Sequence, residues 1–272
     1  MLNFPWLVNG SAAEGVSVHD RGLHYGHGLF ETMRLSGGVL PLWSWHRERL
    51  LHGAKLLGLA LDPALVEGDL AAALRHWPAA GVVKLLITAG AGGEGYRPGD
   101  GPPTRILGYR PLPAPRPPLR LSVCSHRLAR HPALAGAKHL NRLDQVLAAR
   151  ELPEGHEGLL LDTSELVVET LAGNIFLKTA AGWRTPALRD AGVRGVMRHL
   201  LLTELLPGLG EPVVETEIAL AELAGARAAL VCNAVRGVEP VARIERWNHH
   251  LDPAAIDPVR LALGSRWPCF AS

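Results

Sequence analysis

The stretch "YRPLPAPRPPLR" at residues 109–120 places five prolines close together. Proline fixes φ and carries no amide hydrogen, so neither a helix interior nor a central strand can run through it. A chain of 272 residues is long enough for the parts on either side to bury cores of their own. The chain is therefore predicted to form an N-terminal domain over 1–110, a linker over 111–118 and a C-terminal domain over 119–272.

The pattern within each part predicts an α/β fold with largely antiparallel sheets. "PWLVNG" and "GVSVHDRG" read as short strands or a hairpin, and "LFETMRLSGGVL" alternates around a Gly-Gly turn as a hairpin does. From Ser44, a candidate N-cap, Leu50, Ala54 and Leu57 recur at helical spacing. A second helix is predicted over Leu65–Trp77, and "GVVKLLITAG" as a strand that leads into the glycine-rich loop "GAGGEGYRPGDGPP". Beyond the prolines, "LRLSVCS", "EGLLLDTSELVVETLAGNIFLKTAAGWRTP", "EPVVETEI" and "RAALVCNAV" read as strands. Between and after them, helices are predicted from about residues 139, 195 and 255, with a short one at "ALAELAG". Short strands joined by tight turns, with helices interspersed, are the pattern of mixed α/β domains.

Composition excludes several functions. Hydrophobic residues make up 47% and charged residues 20%, and the net charge is +2, which is the balance of a globular chain. The arginines are scattered, without the basic stripe and interleaved aromatics of a nucleic-acid surface. The first residues hold no basic segment followed by an apolar run, and no uncharged stretch is long enough to span a bilayer, so neither a signal peptide nor a membrane span is expected. Cys124, Cys232 and Cys269 have no ligand-like spacing, which fits a reducing compartment. The cytoplasm is the expected location. The 13 histidines are dispersed, no metal site is expected, and "WNHH" at 247–250 reads as a polar turn.

Only four of the 28 basic residues are lysines: Lys55, Lys84, Lys138 and Lys178. A lysine amine can bond to a carbonyl carbon if its surroundings keep it partly neutral. Lys55 reads as a solvated helix charge and Lys178 as an exposed residue before a turn. Lys84 lies within a strand and could face solvent or a cleft. Lys138 ends the "GAK" segment just before an amphipathic helix whose apolar stripe is Leu140, Leu143 and Leu147. A loop joined to a rigid element can hold a reactive amine over a cleft.

If a lysine here served pyridoxal phosphate, the site would also need donors for the phosphate and a carboxylate facing the ring nitrogen. Gly195 permits close approach, and the amides of Val196 and Met197 would open a helix whose dipole favours an anion. Asn233 and Ala234 could form a second donor loop, and Arg49 or Arg47 could fork onto a phosphate. An ionised carboxylate is needed opposite a pyridine nitrogen. Glu169, at the end of an apolar strand, is better placed for that than Glu165 in the preceding turn.

Eight stretches in order resemble the fold-type IV pyridoxal-phosphate-dependent enzymes, and among them the aminodeoxychorismate lyases. They are "VSVHDRGLHYGHGLFET", "WHRERL", "VVKLLITAGAGGEGY", "PPTRIL", "HPALAGAKHLNRLDQVLAARE", "LLLDTSELVVETLAGNIF", "GVRGVMR" and "VCNAVRGVEPV". The resemblance covers nearly the whole chain. It implies a homodimer of two-domain subunits with pyridoxal 5'-phosphate in the cleft between domains. It further implies that Lys138 bonds to the cofactor and acts as general base, that Glu169 partners the pyridine nitrogen, and that Arg49 rather than Arg47 binds the phosphate. Gly195, Val196, Met197, Asn233 and Ala234 would complete the phosphate site, with Asn174 in support.

The implied reaction converts 4-amino-4-deoxychorismate to 4-aminobenzoate and pyruvate, a step of folate biosynthesis. The alternative is an aminotransferase of the same fold acting on D-amino or branched-chain amino acids. "KHLNRLDQ" favours the lyase, because Arg142 follows Asn141 where aminotransferases tend to carry tyrosine or leucine. The substrate has two carboxylates, and Arg97, Arg34, Tyr96 and Tyr25 are the candidates to meet it. Two departures stand out: His27 replaces the family's usual aspartate in "YGHG", and Ala89 stands where many relatives have arginine.

Overall fold

The computed structural model describes residues 6–247 and 249–271. It divides into two compact units, one running to Pro113 and taking in Ala137–Asn141, the other formed by Ala114–Gly136 and the chain from Arg142 onward. The proline-rich stretch holds no helix or strand between Arg110 and Leu119.

In the first unit, a five-stranded antiparallel sheet has the order β2-β1-β5-β4-β3. Its strands are β1 (Leu7–Val8), β2 (Ser11–Ala12), β3 (Gly28–Leu35), β4 (Gly81–Thr88) and β5 (Thr104–Arg110). Side chains alternate across a strand. Leu29, Met33 and Leu35 of β3, Val83, Leu85 and Ile87 of β4, and Leu107 of β5 therefore face one way, into a core with α2 (Trp43–Leu56) and α3 (Pro63–Leu74). The helices supply Leu50, Ala54, Val66, Leu70 and Ala73. The even-numbered residues of β3 and β4, including Phe30, Arg34 and Lys84, occupy the opposite face.

Several local expectations are corrected. α2 starts at Trp43 with Leu42 in the cap position and no side-chain cap, so Ser44 lies inside its first turn. α3 is capped by Asp62, which accepts from the amide of Ala64. The residues expected as strand at "HDRG" instead enter α1 (Arg21–Tyr25), because Asp20 accepts from the amide of Gly22 and caps a helical turn. The Gly37-Gly38 turn has the positive φ values of a tight reversal, but only Ser36 and Val39 pair across it before the chain enters α2.

The second unit is built on a nine-stranded sheet ordered β11-β10-β9-β12-β13-β6-β7-β8, with a short β14 (His249–His250) pairing β13. Its other strands are β6 (Leu119–Leu128), β7 (Glu157–Asp162), β8 (Val167–Thr170), β9 (Asn174–Thr179), β10 (Gly182–Pro186), β11 (Val213–Thr216), β12 (Ala228–Asn233) and β13 (Gly237–Ile244). The sheet is mixed, since β6 runs parallel to β7 and to β13, and β10 parallel to β11. One face packs Leu121, Leu159, Ile175, Val231 and Val241 in one cluster, and the other packs Cys124, Leu128, Ala148, Leu160 and Val168. β7 is buried along its whole length, as a strand covered on both faces must be.

α5 (Val196–Leu200) continues through a π-helical turn into α6 (Leu206–Gly208), and α7 (Asp257–Arg266) is followed by a 3-10 turn at Pro268–Phe270. Of the "WNHH" stretch, Asn248 lies outside the described residues, and His249–His250 form β14 rather than a turn. Lys178 is not an exposed residue: it is partly buried, pairs with Glu211 at 2.7 Å and lies 5.5 Å from the Trp183 ring centre. No described helix is long and apolar enough to cross a membrane.

The expected apolar stripe is also corrected. α4 (Leu143–Ala149) begins after Leu140, and Leu143, Val146 and Leu147 are exposed while Ala148 is buried.

Candidate functional site

The segment Ala137–Asn141 extends the first unit's sheet along the edge of β3. The amide of Phe30 donates to the carbonyl of Lys138 and the amide of Leu140 to the carbonyl of Gly28, both at 2.9 Å. Leu29 and His139 form an antiparallel bridge. These bonds put Lys138 with the N-terminal unit, whereas the sequence reading assigned it to 119–272. Asn141 closes the segment by donating to the carbonyl of Gly26 at 3.2 Å. Gly26 has φ +60°, and a Cβ there would meet the Asn141 side chain at 2.4 Å, so glycine is required on both counts.

Lys138 stands across from Phe30, with its Nζ 4.3 Å from the ring centre. The Nζ of Lys84 is 3.6 Å from the same ring. Two cations thus share one aromatic ring, each attracted to its π-electrons. The sequence left Lys84 between solvent and cleft. Register puts it beside Phe30, because Lys84 pairs with Thr32 on β3, two residues from Phe30.

On the opposite face of β3, Glu31 is 1% exposed and meets two residues of α2. Its carboxylate accepts from Arg49 Nε at 2.9 Å, from Arg49 Nη2 in a still shorter contact, and from His46 Nδ1 at 2.6 Å. His46 and Arg49 are three residues apart, so they project from the same side of the helix. Arg47 points elsewhere, into an exposed pair with Glu67. Burial alone would raise the Glu31 pKa, but Arg49 and His46 outweigh it and hold it at about 2. Burial also lowers the pKa of His46, against the pull of Glu31, so the ring is held neutral with its proton on Nδ1.

A pH dependence follows. Glu31 binds a proton more readily unfolded, near 4.5, than folded, near 2, so its contribution is complete above pH 4.5 and is lost as pH falls towards 2. His46, depressed from 6.5, adds a loss of the same sign below pH 6.5. Urea midpoints should therefore decline with falling pH. Glu31's own share of the decline below pH 4.5, about 3 kcal/mol, should be absent in Glu31→Gln.

The four residues proposed to meet the substrate are not equally placed. Tyr25 and Tyr96 pack together, with ring centres 5.4 Å apart. Arg21 lies over the Tyr25 ring at 4.8 Å and donates to the carbonyls of Gly95 and Tyr96 at 2.9 and 3.0 Å, which ties down the glycine-rich loop. Arg97 is exposed in that loop, in a short turn paired with Glu94. Arg34 shares the Phe30 face of β3 but lies about 13 Å further along it at strand rise. His27 accounts for itself structurally: its Nε2 is 3.0 Å from the carbonyl of Leu57, at the C-terminal end of α2. Ala89 packs against the first unit's core.

The second unit gathers the other candidates around the peptide of Val193. Glu169, buried in β8, accepts from the amide of Val193 at 2.8 Å. Asn174, the first residue of β9, donates to the carbonyl of Val193 at 2.9 Å. Gly136 and Arg194 continue the arrangement through backbone hydrogen bonds, with the Gly136 amide donating to Gly192 and the Arg194 amide to Gly136. Two residues later α5 begins, where the amides of Val196 and Met197 fall in the first turn and have no acceptor within the helix. A Cβ on Gly195 would lie 2.1 Å from Asn174 Oδ1.

Gly195→Ala should therefore displace Asn174 from Val193 and disturb the start of α5. The expected cost is about 1–3 kcal/mol of stability, read by thermal unfolding of the cofactor-free protein, together with weaker cofactor binding in a titration.

Register sets Asn174 beside Cys232 on β12, next to Asn233. Asn233 Oδ1 accepts from the amides of Val235 and Arg236 at 3.0 and 2.8 Å, which shapes the β12–β13 turn containing Ala234. Glu165 is exposed and paired with Arg127, in keeping with its expected solvation. Among the described residues, no group of three or more His, Cys, Asp and Glu side chains is arranged to hold a metal ion.

The first unit holds a lysine backed by an aromatic ring and an arginine braced by a buried carboxylate, chemistry that suits the aldehyde and the phosphate of pyridoxal 5'-phosphate. The second holds first-turn amides beside a glycine and the buried carboxylate of Glu169, which suit its phosphate and its pyridine nitrogen. Sequence reasoning missed Phe30, Glu31, His46 and the Val193 peptide. Glu31 left a signal: it is an acid at an inward position of the β3 alternation, between Leu29 and Met33.

A family model described as amino-transferase class IV matches residues 28–244. The aminodeoxychorismate lyase of Vibrio harveyi is 33% identical over 256 residues, covering 90% of this chain and 93% of that protein. The crystal structure of 4-amino-4-deoxychorismate lyase from Pseudomonas aeruginosa is similar with a TM-score of 0.90 and 40% identity, over 96% of this chain and 99% of that one. A branched-chain amino acid aminotransferase from Escherichia coli shares the fold, with a TM-score of 0.83 at 22% identity over 98% and 95% of the two chains.

Proposed function

The chain belongs to the class IV amino-transferase family, of fold-type IV architecture, and from that membership we propose that it is a pyridoxal-phosphate-dependent aminodeoxychorismate lyase. It converts 4-amino-4-deoxychorismate to 4-aminobenzoate and pyruvate, and so serves folate biosynthesis. The observation that carries this reading is the 40% identity to the Pseudomonas aeruginosa lyase across nearly the whole of both chains.

Bound pyridoxal phosphate supplies the electron sink for carbanion chemistry. Lys138 is the residue that would hold it covalently, and its amine would remove the proton at ring carbon 4 of the bound substrate. Loss of that proton and of the enolpyruvyl oxygen at carbon 3 would leave the ring aromatic, and the protonated Lys138 would return its proton to the methylene carbon of the departing enolpyruvate. Glu169 would partner the pyridine nitrogen.

Arg49, the amides of Val196 and Met197, and the turn at Asn233 and Ala234 would bind the phosphate, with Gly195 leaving room beside it. Asn174 acts through Val193, by holding its carbonyl. Tyr25, Tyr96, Arg97 and Arg34 are assigned to the substrate. The reading includes a homodimer, for which the exposed Leu143, Val146 and Leu147 of α4 offer a surface to a second copy.

The test supplies cofactor-loaded protein with aminodeoxychorismate and no keto acid. Pyruvate and 4-aminobenzoate in equal amounts over many turnovers are expected. No aromatic product, with the cofactor's visible absorption intact, would overturn the lyase reading. Amino-group exchange between amino donors and keto acids would then put an aminotransferase in its place.

A further inference from the structure

We propose that Glu31 and His46 are positioning residues that set the Arg49 guanidinium side-on and so direct it to the cofactor's phosphate. The inference rests on the reading of Arg49 as the phosphate ligand. Glu31 is a carboxylate placed on the helix-facing side of β3, where its neighbours Leu29 and Met33 build the core. It receives three donor atoms: Nε and Nη2 of Arg49, and Nδ1 of His46.

The two-point contact with Arg49 matters because a guanidinium is planar. Once its Nε–H and one Nη2–H are committed to a carboxylate, the plane is set, and with it the direction of every other N–H. A single hydrogen bond would leave the group free to swivel. His46 adds the complementary constraint. It is 1% exposed, and its Nδ1–H holds the Glu31 oxygen that Arg49 Nη2 also contacts. Rotation of the carboxylate would break both contacts. His46 and Arg49 both stand on α2 and Glu31 on β3, so these three contacts join one helix to one strand.

The opposite role can be separated by sign. If Glu31 merely neutralised Arg49, its removal would strengthen the attraction between Arg49 and an anion. If it positions Arg49, removal weakens phosphate recognition although the site becomes more positive.

The test titrates cofactor-free protein with pyridoxal 5'-phosphate and, separately, with pyridoxal, which lacks the phosphate. The ratio of the two affinities reads phosphate recognition and is insensitive to a general loss of folded protein. Arg49→Ala is expected to cut the ratio by about 100-fold and Glu31→Gln by about 10-fold, in the range of charged hydrogen bonds. Gln keeps the shape of Glu but turns an NH2 towards donors. His46→Leu, which removes the donor from the carboxylate without touching Arg49, should lower the ratio less, and it serves as the test if Glu31→Gln fails to fold. A fall with Arg49→Ala but an unchanged or raised ratio in the Glu31 and His46 variants would overturn the positioning role alone. An unchanged ratio in Arg49→Ala would overturn the assignment of Arg49, and this inference with it.

Discussion

Lys138→Ala should abolish turnover and remove the visible absorption of bound cofactor from the purified protein. The loss in rate is expected to be roughly 1,000-fold or more, since under the proposed function this one amine would hold the cofactor and move both protons. Lys84 makes the experiment informative, because its Nζ is 3.6 Å from the same Phe30 ring that Lys138 approaches at 4.3 Å. Proximity to the ring does not distinguish the two lysines. Backbone position does: Lys138 follows Gly136, which is bonded to the Gly192–Arg194 strip, while Lys84 lies in the middle of β4. Lys84→Ala is accordingly expected to keep the visible absorption.

The second large effect is expected at Glu169, where charge and structure can be separated. Glu169→Ala removes both the negative charge and the acceptor for the Val193 amide. It should lower the rate by roughly 100-fold or more and stability by about 1–3 kcal/mol, the cost of a buried amide left without a partner. Glu169→Gln retains an acceptor oxygen but no charge. Its thermal midpoint should stay near that of the unmodified protein while its rate falls nearly as far as in Glu169→Ala. Full activity in the glutamine variant would contradict the assigned charge role.

The sequence was most informative where function depends on local chemistry. The proline run marks the break between sheets, because proline's limits do not depend on distant contacts. β4 was legible from its apolar run and the glycines after it, and the start of α5 from Gly195. The contrast between a buried Glu169 and a solvated Glu165 was legible because one ends an apolar strand and the other sits in a turn.

What sequence did not show depends on partners distant along the chain. Lys138 belongs with the first unit only because Ala137–Asn141 pairs with β3, and nothing in the segment itself names that neighbour. The Leu143 and Leu147 stripe has the pattern of a buried face, yet both residues are exposed and the helix buries Ala148 instead. Helical spacing specifies a face but not what covers it. The Glu31, His46 and Arg49 cluster required the register of a strand against a helix, although an acid among inward-facing apolar residues was its visible trace. The meeting of Lys84 and Lys138 at Phe30 likewise needed the pairing of three strands.

The most direct measurement locates the cofactor on the chain. Protein loaded with pyridoxal phosphate is treated with borohydride, which makes the lysine–cofactor bond permanent, then digested with trypsin and mapped by mass spectrometry. The account predicts the added mass on a peptide running from His131 through Lys138 to Arg142, uncut at the modified lysine. The added mass on the peptide containing Lys84, or on none, would contradict it.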